Sequence, residues 1–234
     1  MKEEPAMRSR TKAIMAQRNE AADSLDDFPT PPWATRALAV YVLPRWIPQG
    51  CFETVWEPAC GRGYMTAALE EYGYRTVGTD IADYPQVSDR HKMLCLTDFT
   101  KLQRNCFWIE LGPNTSMRDP AAVITNPPFR LAEKFIDVAL SVVLPIYCTA
   151  MLLRTSFLEG VGRYSRLFSC RPPTEIWQFS ERVPMAKGRL APEIRSATAH
   201  AWFVWGRKRT KSTAMRWIPP CRAELEKDGD YPDG

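Results

Sequence analysis

Residues 54–63 read Thr54-Val-Trp-Glu57-Pro58-Ala59-Cys60-Gly61-Arg62-Gly63, an apolar run that breaks into an acid, a proline and two glycines. Glycines placed directly after a strand let the backbone turn tightly and approach a ligand closely. Met65, Ala68, Leu69 and Tyr72 then fall at helical spacing, and Thr76-Val-Gly rises to Asp80 as a second strand. The alternation continues outward. Met93-Leu-Cys-Leu reads as a third strand, Ala122-Val-Ile-Thr as a fourth and Ala150-Met-Leu-Leu as a fifth. Between the last two, Leu131, Phe135, Val138, Ala139 and Val142 form a helix stripe. Glu175-Ile-Trp-Gln-Phe and Ala201-Trp-Phe-Val-Trp read as a closing antiparallel pair rich in aromatics. Strands alternating with helices predict a doubly wound α/β sheet, with ligand sites at the carboxyl ends of its strands.

The rest of the chain is consistent with one such domain. It has 234 residues, 45% hydrophobic and 25% charged, and no internal repeats. Residues 1–27 read as a flexible arm, 28–220 as the folded domain and 221–234 as a disordered acidic tail. No apolar run is long enough to span a membrane, and Met1-Lys-Glu-Glu-Pro5 does not open a secretory signal. Seven cysteines, odd in number and never spaced as CxxC, predict reduced thiols in a cytoplasmic protein with no metal site. The charge is uneven: residues 160–220 hold twelve Lys/Arg against Glu175, Glu181 and Glu193, a net of +9. Such an excess points to a polyanionic partner, with a merely solvated basic face as the alternative.

The strand ends carry the chemistry. The loop after the first strand lacks the third glycine of a dinucleotide fingerprint, since Thr66 stands there. Glu57 before it would repel a pyrophosphate but suits the ammonium of an amino-acid-like ligand. Asp80 ends the second strand where a carboxylate accepts from ribose hydroxyls, and Asp98-Phe99 offers a further acid beside an aromatic wall. These elements together suit an adenosyl amino acid better than a dinucleotide, although each acid alone is also an ordinary turn residue. The fourth strand ends in Asn126-Pro127-Pro128-Phe129. Two prolines stop the strand and leave carbonyls exposed in a stiff turn. The Asn126 amide oxygen and the Pro127 carbonyl could both accept from one NH₂ group, and Phe129 offers a flat face to a planar substrate.

In this order the motifs resemble the S-adenosylmethionine-dependent DNA adenine-N6 methyltransferases, in the small versions of phage and mobile elements. Asn126-Pro-Pro-Phe129 resembles the family's catalytic tetrad and Glu57-Pro-Ala-Cys-Gly-Arg-Gly63 its cofactor loop. Phe28-Pro-Thr-Pro-Pro-Trp33 resembles the segment that precedes that loop in the gamma-ordered class, so the likeness covers residues 28–206. It implies a Rossmann-like class I methyltransferase fold: a seven-stranded, mostly parallel sheet with one antiparallel strand and helices on both faces. Carried over by position, it implies S-adenosyl-L-methionine as cofactor. Thr30 and Glu57 would face its methionine end, and Pro58, Ala59, Gly61 and Gly63 would form the loop. Asp80 would hold the ribose, Ile81 would pack on the adenine, and Asp98 with Phe99 would complete that pocket. Asn126, with Pro127 and Pro128, would hold the target amine, and Phe129 would stack on an extruded base.

The chain departs from the larger members in having no separate recognition domain. Recognition is expected from 181–199, with Arg182, Lys187, Arg189 and Arg195, helped by Arg207, Lys208 and Arg209. The expected partner is DNA, duplex rather than single strand, with room for an accessory protein that supplies target recognition. Pro219-Pro-Cys221 echoes the nucleophile of cytosine-C5 enzymes but lies past the last strand, away from any cofactor loop. His91 and His200 read as structural, and 104–120 as an insertion without an assigned role. Rival readings are a methyltransferase for an RNA base or a protein glutamine amide, and a non-catalytic DNA-binding adaptor with the same fold.

Overall fold

The computed structural model describes residues 25–48, 53–87, 93, 95–103, 109–112, 115–117 and 120–231. Pro31 and Pro32 start helix α1 (Pro32–Ala37), which runs on through a wider turn to Val42. A proline fits the first helical turn because its missing N–H would have no partner there. Strand β1 (Thr54–Glu57) leads through the glycine turn into α2 (Tyr64–Glu70) and back up β2 (Arg75–Asp80). After the short β3 (Cys95–Leu96) come β4 (Ile109–Gly112) and β5 (Thr115–Met117), an antiparallel pair inside the 104–120 insertion. Then follow β6 (Ala122–Thr125), α3 (Ala132–Val138), β7 (Cys148–Arg154), α4 (Val161–Arg163) and β8 (Glu175–Phe179). The chain closes with β9 (His200–Gly206), β10 (Ala214–Ile218) and α5 (Arg222–Leu225). The arm through residue 24 and His91 lie outside the described residues.

The main sheet has the order β10-β8-β9-β7-β6-β1-β2-β3, and β9 runs against its neighbours while every other pairing is parallel. This is eight strands where the sequence predicts seven. The extra one, β10, pairs in parallel with β8 at the edge, where Met215 and Trp217 stay exposed and only Ile218 is buried. Such an edge strand carries no continuous apolar run to announce it.

Successive strand residues feed opposite faces, as the two-residue period demands. Val55, Ile124, Leu152 and Trp202 pack with α1 and α2, whereas Trp56, Val123, Met151 and Phe203 pack with α3. Strand order reverses between β1, which continues outward to β2, and β6 on its other side. A crevice opens at such a switch point, beyond the carboxyl ends of the strands.

The tail corrects a second expectation. Cys221 N and Arg222 N donate to the Glu181 carboxylate at 2.6 and 2.7 Å, which caps α5. Arg36 of α1, 3% exposed, forks onto Asp230 with two bonds of 2.7 Å and reaches Glu71 at 2.8 Å. Acidic composition suggested disorder, but one of its acids, Asp230, meets a buried cation. Arg36→Ala is expected to lower stability by about 3–5 kcal/mol, because Asp230 is left as an uncompensated buried charge. Thermal denaturation checks this, and an unchanged melting temperature would mean that the tail is not held by the pair.

Candidate active site

The crevice at the switch point is an open cleft of about 810 Å³, counting space continuous with solvent. Glu57 enters it from the end of β1, Asp80 from the end of β2 and Asn126 from the end of β6. The glycine turn forms its floor. Gly61 (φ +51°) and Gly63 (φ +83°) adopt the left-handed conformation that side chains resist, and Gly61 N donates to Asp80 Oδ2 at 2.9 Å. Asp80 Oδ1 accepts from Ala82 N at 3.1 Å, so the carboxylate is fixed by backbone and keeps lone pairs for a ligand.

The lining is acidic. Asp26, Asp27, Glu57, Asp80 and Asp98 stand around it against one cation among the described residues, Arg62, itself bound to Asp27 at 2.9 and 3.0 Å. Glu57 is 3% exposed, and its Oε2 has no partner among the described residues. Burial first, and then Asp80 close by, push its pKa well above the usual carboxylate range. Burial also raises Asp80. A pocket of this kind is costly while empty and is relieved by a cationic ligand.

The remaining expected residues divide. Pro58 and Ala59 line the cavity, and Ile81 overhangs it, 58% exposed. Phe99 lines it as well, with its ring packed between Trp56 and Phe135 at 5.1 and 4.9 Å between ring centroids. Asp98 is an N-cap: its Oδ1 accepts from Thr100 N and Thr100 Oγ1 at 3.0 and 2.6 Å, and Lys101 lies 3.0 Å from Oδ2. Those Thr100 bonds lead in holding its pKa down. Thr30 points its hydroxyl at Asn126, whose Nδ2 donates to Thr30 Oγ1 at 3.1 Å and to the Phe28 carbonyl at 3.0 Å. Asn126 Oδ1 is buried without a donor among the described residues. Pro128 lines the cavity, while Pro127 and Phe129 fall outside the lining.

Sequence reasoning missed four participants. The Phe28 ring lies 5.0 Å from that of Phe129, and the Arg154 guanidinium sits over Phe129 at 3.9 Å. Met185 Sδ lies 3.5 Å from Asn126 Nδ2. Asp27 ties the strand-like segment before α1 to Arg62 and, through its carbonyl, to Gly188 N at 2.8 Å. Arg154 stood in plain view at the end of the fifth predicted strand; Met185 and Asp27 carried no sequence signal. His200 is 3% exposed across from Arg154 on β9, and burial, with Arg154 and Arg182 nearby, lowers its pKa to about 4.

The basic residues separate as well. Arg182, Lys187, Arg189 and Arg195 lie in the connection from β8 to β9, at the same end of the sheet as Asn126. Arg207, Lys208 and Arg209 do not join them. Because β9 is antiparallel, Gly206 pairs with Cys148 and Arg154 with His200, so these three emerge at the opposite end. Strand β7 spans seven residues, a separation of about 20 Å. There they line, with Arg171, a second cavity of about 530 Å³. Among the described residues no group of His, Cys, Asp and Glu could hold a metal ion, and no helix is long and apolar enough to cross a membrane.

No protein-family model matches the sequence, and no curated protein is significantly similar to it. Solved structures share the fold at low identity. The methyltransferase subunit of a type I restriction-modification system from Streptococcus thermophilus matches over 88% of this chain and 50% of its own, with a TM-score of 0.55 and 10% identity. The M protein of the type I restriction enzyme EcoKI matches over 83% and 49%, with a TM-score of 0.52 and 12% identity. A Pyrococcus horikoshii protein described as a candidate RNA methyltransferase matches over 78% and 88%, with a TM-score of 0.54 and 13% identity. The chain therefore has the Rossmann-like sheet seen in these methyltransferases, and it spans about half the length of the two restriction-system proteins.

Proposed function

We propose that the chain transfers a methyl group from S-adenosyl-L-methionine to the exocyclic 6-amino group of adenine in duplex DNA. The observation that carries this is the buried Asn126 Oδ1, an acceptor without a donor among the described residues, at the mouth of an acidic cavity where Glu57 Oε2 likewise has none. S-adenosyl-L-methionine, when bound, supplies an electrophilic methyl on a sulfonium, which leaves as a neutral thioether. The protein's part is binding and orientation. Glu57 pairs with the ammonium, Asp80 accepts from the ribose and Ile81 covers the adenine edge. Asn126 Oδ1 and the Pro127 carbonyl accept the two hydrogens of the target amine, which keeps its lone pair out of the ring and aimed at the methyl. The amine, once it has taken up the methyl, would release a proton to solvent. Positioning and preorganised acceptors supply the rate, so no nucleophilic side chain is needed.

The type I neighbours are a restriction-modification methyltransferase subunit and a restriction-enzyme M protein, and the basic β8–β9 connection lies at the same end of the sheet as Asn126. Its shortness is why an accessory protein for target recognition belongs to the proposal. A tritiated-methyl transfer assay on unmethylated DNA and on RNA, with product nucleosides resolved, tests it. Label in N6-methyladenosine of RNA alone, or in 5-methylcytosine, would overturn it.

The charge geometry makes a further expectation. Neutralising Arg182 and Arg195 should lower the salt slope for a short duplex by about two units. Neutralising Arg207 and Lys208 should leave that slope unchanged, because they stand at the far end of β9. Equal effects of the two pairs would mean that DNA does not bind over the Asn126 end.

A further inference from the structure

Among the described residues, the donors and acceptors around Asn126 can be counted. The amide nitrogen has two hydrogens, and the protein takes both: one goes to the Phe28 carbonyl at 3.0 Å and one to Thr30 Oγ1 at 3.1 Å. Met185 Sδ stands 3.5 Å from the same nitrogen, a third acceptor on that side. The Phe28 carbonyl can only accept, so the amide edge facing it must be the NH₂, and Oδ1 must point the other way. The two acceptors are themselves stiff. Phe28 precedes Pro29 and Thr30 precedes Pro31, and a residue before proline is confined to extended backbone. Helix α1 begins immediately beyond, and Asp27 fastens the near end to Arg62 and to Gly188.

We infer that Thr30, together with the Phe28 carbonyl, is a positioning residue that fixes Asn126 as an acceptor only, and so commits the site to a nucleophile bearing N–H. This deepens the proposed function and rests on it for the identity of the amine. An exocyclic amine donates to Oδ1 and keeps a lone pair for transfer. A ring nitrogen without hydrogen, such as a purine N7, brings only a lone pair, which meets the lone pairs of Oδ1 and is repelled. The turn thus discriminates between two classes of nucleobase nitrogen through a segment about a hundred residues earlier in the chain. Sequence position alone assigns Thr30 to the methionine end of the cofactor; in the structure it lines that cavity, and its oxygen also accepts from the Asn126 amide.

Thr30→Val keeps the shape and removes the acceptor. It is expected to lower kcat about tenfold, the effect of one hydrogen bond, with the affinity for S-adenosyl-L-methionine unchanged, and Thr30→Ser is expected to restore the rate to within about twofold. In ¹⁵N-labelled protein the Asn126 side-chain NH₂ pair, identified by its loss in Asn126→Ala, should show both protons protected from solvent exchange. Thr30→Val should release one of them. A serine variant as slow as the valine one, cofactor affinity falling in step with kcat, or an unprotected pair in the native protein would each overturn the inference. Should Thr30→Val not fold, Thr30→Ala and the exchange measurement on the native protein decide it. The exchange readout needs no substrate, so protected protons in a protein that methylates no DNA would sink the proposed function and leave the positioning role standing.

Discussion

Asn126→Ala should lose at least about 10² to 10³ in kcat while keeping its fold and its affinity for S-adenosyl-L-methionine. That is the typical cost of removing one preorganised acceptor from a site. Here the residue also joins the Phe28 carbonyl and Thr30 to the end of β6. Asn126→Asp separates the two roles. It keeps an acceptor for the amine, but sets its second oxygen against the Phe28 carbonyl, where two acceptors face each other. A protonated carboxyl can donate there, so the aspartate variant should gain rate as pH falls, whereas the native enzyme should not. Single-turnover rates across pH check this. An aspartate variant as fast as the native protein at pH 8 would show that the Phe28 contact is dispensable.

Glu57→Gln should weaken S-adenosyl-L-methionine binding by about 1.5–3 kcal/mol, the scale of hydrogen bonds to a charged group, and should at the same time stabilise the free protein. The sign follows from proton counting. Burial, reinforced by Asp80, raises the pKa of Glu57 in the folded state, so above the ordinary carboxylate pKa the unfolded chain holds fewer protons than the folded one. Stability then falls as pH rises through the window between the two values. Glutamine has no such dependence. The variant should match the native melting temperature near pH 4 and exceed it at pH 8, by about 2–4 °C for each 1 kcal/mol gained. Native affinity for the cofactor should rise with pH as Glu57 ionises; the variant should keep only the weaker slope due to Asp80, whose pKa burial also raises. Calorimetry and thermal melts test both halves. A glutamine variant that binds as tightly as the native protein would remove Glu57 from the ammonium site.

What the sequence makes legible is local. The glycine turn after β1, the acid ending β2 and the proline turn after β6 each announce themselves within a few residues, because backbone conformation is decided there. The partners that complete them come from far away. Asn126 is oriented by Phe28, 98 positions earlier, and no periodicity encodes that pairing. The Arg207 cluster was read by charge, which says nothing of which end of the sheet a strand delivers it to; the register of β9 on β7 decides that. Composition also misled at the carboxyl terminus, since an acidic stretch is soluble alone yet folds when a buried arginine offers it bonds.

That last contact has a temporal side. Arg36 and Asp230 are separated by 194 positions, and contacts of long sequence separation form late and slow folding. During synthesis, at roughly 5–20 residues per second, Arg36 can meet Glu71 within seconds but must wait about ten seconds or more for its second counterion, Asp230. Until then Arg36 has only the Glu71 half of its ion-pair network, so the helix that follows Phe28 and Thr30 is less firmly docked. Ordering of the turn that holds Asn126 is thereby tied to synthesis of the segment carrying Asp230, and a ribosome that stalls before Asp230 should release a protein with a folded sheet and a slack Asn126 turn.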